Sequence, residues 1–322
     1  MYRCSFIIAS KPDHLPRALQ ALLLLSSPHE QFEIIVAYGY APSTQRNRAA
    51  AAAQGDILFF LDDDSIVQPD CLETCLRIIS DQSVAAVGGP SLTPHTDSSL
   101  QQLFGMAISS VCGSGGVRNR YRRWGAERQT SERELILCNL ALRRELFLEY
   151  GGFDERMYPN EENLLLDRLV RDDWKLIHAP GMAVERSQRS TVPLFARQMF
   201  SYGRGRARQT LLAGPGPLTA YAPLGLLFYL ALLPLLLRVH QSALIPFLVY
   251  CAALGICTAA AVISHKNPRA IFLSGLVPLM HASYGIGLVA GFIAGVKQPV
   301  RVDGNAEDIE ICHIKHFEQS TW

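Results

Sequence analysis

Charge of either sign is nearly balanced in this sequence. Its 322 residues set 30 Lys and Arg against 29 Asp and Glu, which removes the usual reason to expect nucleic acid as a partner. Charge is also scarce, 18% of residues against 49% hydrophobic, so the chain as a whole is not intrinsically disordered. The eight cysteines, at positions 4, 71, 75, 112, 138, 251, 257 and 312, form no C-x-x-C pair and no Cys/His zinc spacing. A disulfide scaffold is not expected, and a reducing compartment suits them. Cys71 and Cys75 lie one helical turn apart among Leu72, Leu76 and Ile79, the pattern of small apolar side chains on a buried helix face. The N-terminal residues offer only Ser5-Phe6-Ile7-Ile8-Ala9 before Lys11 and Asp13, too short for a signal-peptide apolar core, and Tyr2 stands where myristoylation requires glycine. The first domain is expected to stay in the cytosol.

The mean hydropathy of +0.13 averages two populations. Between Gln209 and Val296 the only charged residues are Arg238, Lys266 and Arg269; before Gln209 lies most of the charge. Segments 217–237, 243–264 and 270–296 contain no Asp, Glu, Lys or Arg and each reaches the roughly 20 residues a bilayer crossing needs. The prolines and glycines within them are tolerated in membrane helices. A transporter is disfavoured, because such proteins carry ionisable residues within their spans.

Strand and helix patterns alternate in the first part. Residues 4–9 make a buried strand, 15–25 a helix, 33–37 a second strand, and the Ala-rich 45–54 a helix closed by Gly55. Asp56-Ile57-Leu58-Phe59-Phe60-Leu61 is a third strand, apolar enough to be covered on both faces. A helix opened by Pro69-Asp70 and a strand at 84–87 follow. This alternation predicts a parallel, doubly wound α/β sheet, whose ligands bind beyond the carboxyl ends of the strands. The third strand delivers Asp62-Asp63-Asp64-Ser65 to that rim. Three adjacent carboxylates repel one another and call for a cation or several donors; the plainer alternative is an acidic loop with Asp64 or Ser65 capping the next helix.

Ser5-Phe6-Ile7-Ile8-Ala9-Ser10, Glu33-Ile34-Ile35-Val36, Arg46-Asn47, and the strand ending in Asp62-Asp63-Asp64 come in an order that resembles the opening of a family 2 glycosyltransferase with the GT-A fold. Asn139-Leu140-Ala141-Leu142-Arg143-Arg144-Glu145, Gly151-Gly152-Phe153-Asp154-Glu155 and Glu161-Glu162-Asn163 continue the resemblance, which covers residues 4–208. It implies a GT-A, nucleotide-diphospho-sugar transferase domain over 1–208, with an interfacial helix near 193–208, then a membrane region over 209–296 and a tail over 297–322. It also implies inverting transfer from a nucleotide sugar, with Ser10, Arg46, Asn47, Asp62, Asp63 and Asn139 near the nucleotide. Asp62 and Asp64 are the implied ligands of a divalent Mg²⁺ or Mn²⁺, a hard ion that favours oxygen. If the segment is extended, Asp63 points away from its neighbours.

The acceptor hydroxyl must lose a proton as the new bond forms, and a carboxylate is the simplest base. Glu161-Glu162 is the candidate pair, with Glu162 at the position the family fills with its base, usually an aspartate; both also suit a helix N-terminus. Where the family places an acidic residue after the second strand, this chain has Ala37-Tyr38-Gly39. The family's frequent His after the acidic helix has no counterpart near Val184-Glu185-Arg186-Ser187-Gln188, and His178 comes too early to match it.

Gly113-Ser114-Gly115-Gly116-Val117-Arg118-Asn119-Arg120-Tyr121-Arg122-Arg123-Trp124 has the composition of a mobile loop. It suits phosphate or a charged glycan, or equally an anionic lipid surface. Before the first apolar segment, Arg204, Arg206 and Arg208 mark the cytosolic side. Leu194-Phe195-Ala196-Arg197-Gln198-Met199-Phe200, leading into them, resembles the interfacial helix of membrane-attached family members, the succinoglycan and exopolysaccharide type being nearest. The expectation is a multi-pass protein of the cell (inner) membrane, its catalytic domain facing the cytoplasm among membrane lipids. The acceptor implied is a lipid-linked glycan or a polyprenyl phosphate. Three spans would put the tail, with Lys297 and Arg301, on the opposite side.

Overall fold

The computed structural model describes residues 3–296 and 308–314; Lys297 and Arg301 lie outside the described residues. The chain opens with β1 (Cys4–Ser10), α1 (Ala18–Leu22), β2 (Phe32–Tyr38), α2 (Pro42–Ala52), β3 (Ile57–Asp62), β4 (Ile66–Val67), α3 (Cys71–Ile79), β5 (Val84–Gly88) and β6 (Ser91–Leu92). Next come α4 (Ser99–Ser109), α5 (Val111–Ser114), β7 (Arg128–Thr130), β8 (Asn139–Arg143), α6 (Arg144–Glu149), α7 (Glu161–Arg171), β9 (Lys175–His178) and β10 (Val184–Glu185). Four long helices, α8 (Val192–Ala213), α9 (Ala222–Val239), α10 (Ile245–His265) and α11 (Leu273–Ala294), precede β11 (Glu310–Ile314). Two compact units divide the chain: one takes residues up to 92, 122–186 and the tail, the other 93–121 and 187–296. The second unit thus takes residues 93–121 from the N-terminal part as well as the chain from 187 on.

In the first unit an eight-stranded sheet runs β11-β2-β1-β3-β8-β5-β9-β7. The apolar runs of β1, β2 and β3 are buried almost throughout, because helices cover both faces of a sheet so patterned. Phe60, Phe147 and Phe153 form a mutually packed aromatic group in its core, with ring centroids 4.9 to 5.2 Å apart; each ring contributes roughly 1.5–3 kcal/mol on burial. Cys71 and Cys75 are buried on α3, as their spacing predicts.

The sheet is mixed, a correction to the all-parallel expectation. Strands β1, β2 and β3 are parallel, but β8 lies antiparallel between β3 and β5. The physical reason is connectivity: the chain leaves β6 for α4 and α5 and re-enters β8 after β7, instead of crossing over through a single helix as a parallel neighbour requires. The effect on the rim is direct. Asp62 ends β3 opposite Ala9, one residue before Ser10, while Asn139 begins β8 opposite Leu61. Ser10, Asp62 and Asn139 thus meet at one edge.

In the second unit α4, α8, α10 and α11 share a core, where Phe104 stacks on Phe195 at 4.2 Å. Helix α8 lies against α11 along a glycine seam. A Cβ at Gly203 would collide with the Tyr284 carbonyl, and one at Gly287 with that of Phe200, so glycine is needed for the backbones to approach this closely. Of the expected loop at 113–124, residues 113–121 are helical, with Arg120 buried. Cys112 and Cys257 form a disulfide, which the spacing of the cysteines did not announce. Three helices with their lead-in turns, Leu218–Val239, Gln241–His265 and Pro268–Ala294, are long and apolar enough to cross a membrane.

The tail returns to the first unit. Residues 310–314 pair antiparallel with β2, from Glu310 opposite Tyr38 to Ile314 opposite Ile34, and His313 lies 3.7 Å from the buried Glu33. An edge strand gains a partner this way, which removes a row of unpaired backbone groups. The expectation of a tail across a bilayer from the catalytic sheet is corrected for these residues, since hydrogen-bonded strands share one compartment.

Candidate active site

The rim is organised by a buried arginine. Helix α2 begins at Pro42, a residue preset for the first helical turn, and buries Ser43, Thr44, Gln45 and Arg46. Gln45 Nε2 donates to the carbonyls of Ser10 at 2.8 Å and Ala37 at 2.6 Å, tying the ends of β1 and β2 together. Arg46 Nη2 donates to Asp62 Oδ1 at 2.8 Å, and its Nη1 donates to Glu161 Oε1 at 2.7 Å. The arginine is 5% exposed. Burial works against its charge, but Glu161 and Asp62 outweigh that and move its pKa up. Removing one partner of such a buried pair costs roughly 3–5 kcal/mol.

Glu161 and Glu162 open α7, both buried. The preceding residue, Asn160, turns the chain at φ 77°, a conformation asparagine tolerates better than most. Burial pushes the Glu161 carboxyl up, to about 7, while Arg46 pulls the other way. Tyr158 beside it is shifted up by burial and then by Glu161.

The three aspartates differ in their partners. Asp62 takes Arg46 on one oxygen and lies 3.2 Å from Arg186 Nη2 on the other. Asp64 accepts from Arg186 Nε at 2.8 Å. Asp63 lies 3.5 Å from His14 Nε2, and burial, with Asp64 and Asp62 adding to it, raises its pKa. Ser65 donates to the Cys138 carbonyl at 3.1 Å, which anchors the turn to the residue before β8 rather than capping α3.

Other expected nucleotide residues hold the rim in place. Asn47 is spent on the turn after α6: its Nδ2 donates to the Phe153 carbonyl at 2.9 Å and its Oδ1 accepts from the Phe153 N–H at 2.9 Å. These bonds tie the Asn47 amide to the backbone of that turn. Ser10 Oγ donates to the His14 carbonyl at 3.4 Å. Asn139 donates to the Met182 carbonyl, while its Oδ1 is buried without a hydrogen-bond partner. His178 is buried against the Glu134 carbonyl at 3.2 Å, a structural histidine. Gln45 and Arg186 escaped the sequence reading. The first had no motif to mark it, and the second stands within Val184-Glu185-Arg186-Ser187-Gln188, where a histidine was sought.

Among the described residues no three His, Cys, Asp or Glu side chains group as a metal site. Asp62 and Asp64 nevertheless supply two hard carboxylate donors at one rim, 22% and 35% exposed, and so fit a divalent ion that completes its shell with phosphate oxygens and water.

Residues 10–150 match the model of glycosyl transferase family 2. The chain is 29% identical over 251 residues to the succinoglycan biosynthesis protein ExoA of Rhizobium meliloti, covering 75% of this chain and 72% of that protein. It is 25% identical over 112 residues to a glucosyl-dolichyl phosphate glucuronosyltransferase of Haloferax volcanii, 35% of this chain and 34% of that one. In fold it is similar to a mannosyltransferase of Pyrobaculum calidifontis solved with GDP-Man and Mn²⁺, with a TM-score of 0.56 at 14% identity over 90% of this chain and 86% of that one. The first unit has a GT-A-like fold, it carries the match to the family 2 model, and the chain is a glycosyltransferase.

The Glu161 shift makes a pH prediction. Its folded-state pKa stands above the ordinary 4.5, near 7, so the native state holds this proton more tightly than the unfolded chain does. Its contribution to stability is then fully present below 4.5 and is lost as pH rises to about 7. Thermal midpoints of wild type and Glu161→Gln, compared between these pH values in detergent, should show the wild type losing stability relative to the variant. A constant difference would contradict the shift.

Proposed function

We propose that this glycosyltransferase is a membrane-attached inverting enzyme that moves a sugar from a nucleotide donor to a lipid-linked glycan. The observation that carries the reading is the Arg46 bridge, which ties Asp62 at the donor rim to Glu161 beside the candidate base. In the proposed reaction the acceptor oxygen attacks the anomeric carbon, the bond to the nucleoside diphosphate breaks, and the hydroxyl proton passes to Glu162. Asp62 and Asp64 would hold a Mg²⁺ or Mn²⁺, which offsets charge on the leaving diphosphate. Arg46 fixes Asp62 and Glu161 in one arrangement, so the donor rim and the start of α7 are preorganised together. Burial of Glu162 keeps water from the proton it accepts.

The names of the relatives, one in succinoglycan biosynthesis and one acting on a dolichyl-linked sugar, support a lipid-linked acceptor, and the mannosyltransferase bound to GDP-Man and Mn²⁺ supports a nucleotide sugar with a divalent ion. Transfer to a bare polyprenyl phosphate is the second reading. There the attacking group is already anionic and needs little help from a base.

The membrane arrangement follows from the tail. Because 310–314 joins the catalytic sheet, the chain crosses the bilayer an even number of times. We assign the crossings to α9 and α10, of which 0% and 11% is buried within the protein, against 39% for α11. Helix α11 lies along the arginine-bearing α8 and is assigned with it to the cytoplasmic side.

Glu162→Gln should lower kcat by at least about a hundredfold, the scale of general-base catalysis, while nucleotide-sugar affinity stays within twofold; full turnover would remove Glu162 from the base position, and would favour the polyprenyl phosphate reading. Epitope tags at the two chain ends, probed with protease in sealed vesicles of known orientation, should be cut or protected together. Tags on opposite faces would refute the even count.

A further inference from the structure

The rim contains a second guanidinium that no motif announces. Arg186 directly follows β10, whose Val184 and Glu185 pair with Val67 and Ile66 of β4 and with Ser91 and Leu92 of β6. Its own N–H donates to the Leu92 carbonyl at 2.9 Å. Strand β4 begins two residues after Asp64, so this register carries Arg186 back to the aspartate turn.

There the side chain spans the pair that a divalent ion would need. Nε donates to Asp64 at 2.8 Å and Nη2 lies 3.2 Å from Asp62. A guanidinium and an ion cannot both take these oxygens at full strength. Unlike the buried Arg46, Arg186 is 20% exposed and held at the open side of the rim. A nucleoside diphosphate arriving beside Asp62 and Asp64 brings like charge that something must offset, and the planar fork of arginine suits phosphate oxygens as well as carboxylates.

We propose that Arg186 is a ligand of the donor's diphosphate and the competitor of a divalent ion for Asp62 and Asp64. The inference rests on the donor-site reading above. It gives the enzyme its own cation at the rim, so that a nucleoside diphosphate binds without added metal, and metal alone binds poorly because its carboxylates are already engaged. Once phosphate oxygens draw the guanidinium away, the same carboxylates are released.

The test uses the detergent-solubilised full chain and two probes, Mn²⁺ followed by electron paramagnetic resonance and UDP or GDP followed by calorimetry. Arg186→Ala should bind Mn²⁺ alone about tenfold more tightly than wild type, and the nucleoside diphosphate in EDTA about tenfold more weakly, as loss of a charged hydrogen bond implies. Arg186→Lys, which keeps the charge but not the fork, should fall between. Damage to the fold would weaken both probes together, so the opposed directions identify the role. Unchanged or weakened Mn²⁺ binding in Arg186→Ala would overturn the inference, as would unchanged diphosphate binding. A wild type that binds neither UDP nor GDP, with or without Mn²⁺, would sink the donor-site reading and this inference with it.

Discussion

The candidate rim depends on one buried charge. Arg46 is surrounded by protein, and a guanidinium there is tolerable only while both of its partners are in place. Asp62 comes from the end of a sheet strand and Glu161 from the first turn of α7, about a hundred residues apart in sequence. Satisfying Arg46 therefore fixes the distance between the strand that carries the aspartates and the helix that carries the two glutamates. Gln45, one residue earlier, does the same for the ends of β1 and β2. Two consecutive residues on an Ala-rich helix thus set the geometry of the whole edge.

Much of this was legible in the sequence, and the reason is burial. Runs such as Ile57-Leu58-Phe59-Phe60-Leu61 have no solvent face, so their strand character and central place in a sheet follow from composition. The aspartates after them were placed at the rim by the same logic. Strand direction was not legible: the apolar pattern of β8 records that both faces are covered and says nothing of which way the chain runs. Arg186 was hidden for a related reason. Its position is set by two-residue strands whose pairing leaves no periodic trace. Asn47 sits in a motif that reads as nucleotide-binding, yet its amide is consumed by the backbone of Phe153, and only coordinates reveal such a commitment. Glycine and arginine between 113 and 121 suggested mobility, whereas local helix and the burial of Arg120 gave order.

The membrane region shows composition and topology parting company. Three segments have the length and hydropathy to cross, but length alone does not count crossings. The strand at 310–314, a short run in a tail with no special composition, constrains the count more tightly than any hydropathy average. The glycine seam between α8 and α11 adds the second constraint, since a helix with several arginines makes a poor spanning partner. In the proposed reading the charge chemistry stays in the sheet domain and the lipid contacts in the helices, with the arginines of α8 where the two compositions meet along the chain.

The most direct test of the central claim is donor-induced stabilisation. Thermal midpoints of the detergent-solubilised wild type and of Arg46→Lys, which keeps the charge but lacks the two-nitrogen fork that meets Asp62 and Glu161 separately, would be measured across a set of nucleotide sugars with Mn²⁺ present. The account predicts that at least one nucleotide sugar raises the wild-type midpoint and that the folded Arg46→Lys protein loses this response. A wild type indifferent to every nucleotide sugar, or a variant that responds as the wild type does, would contradict it.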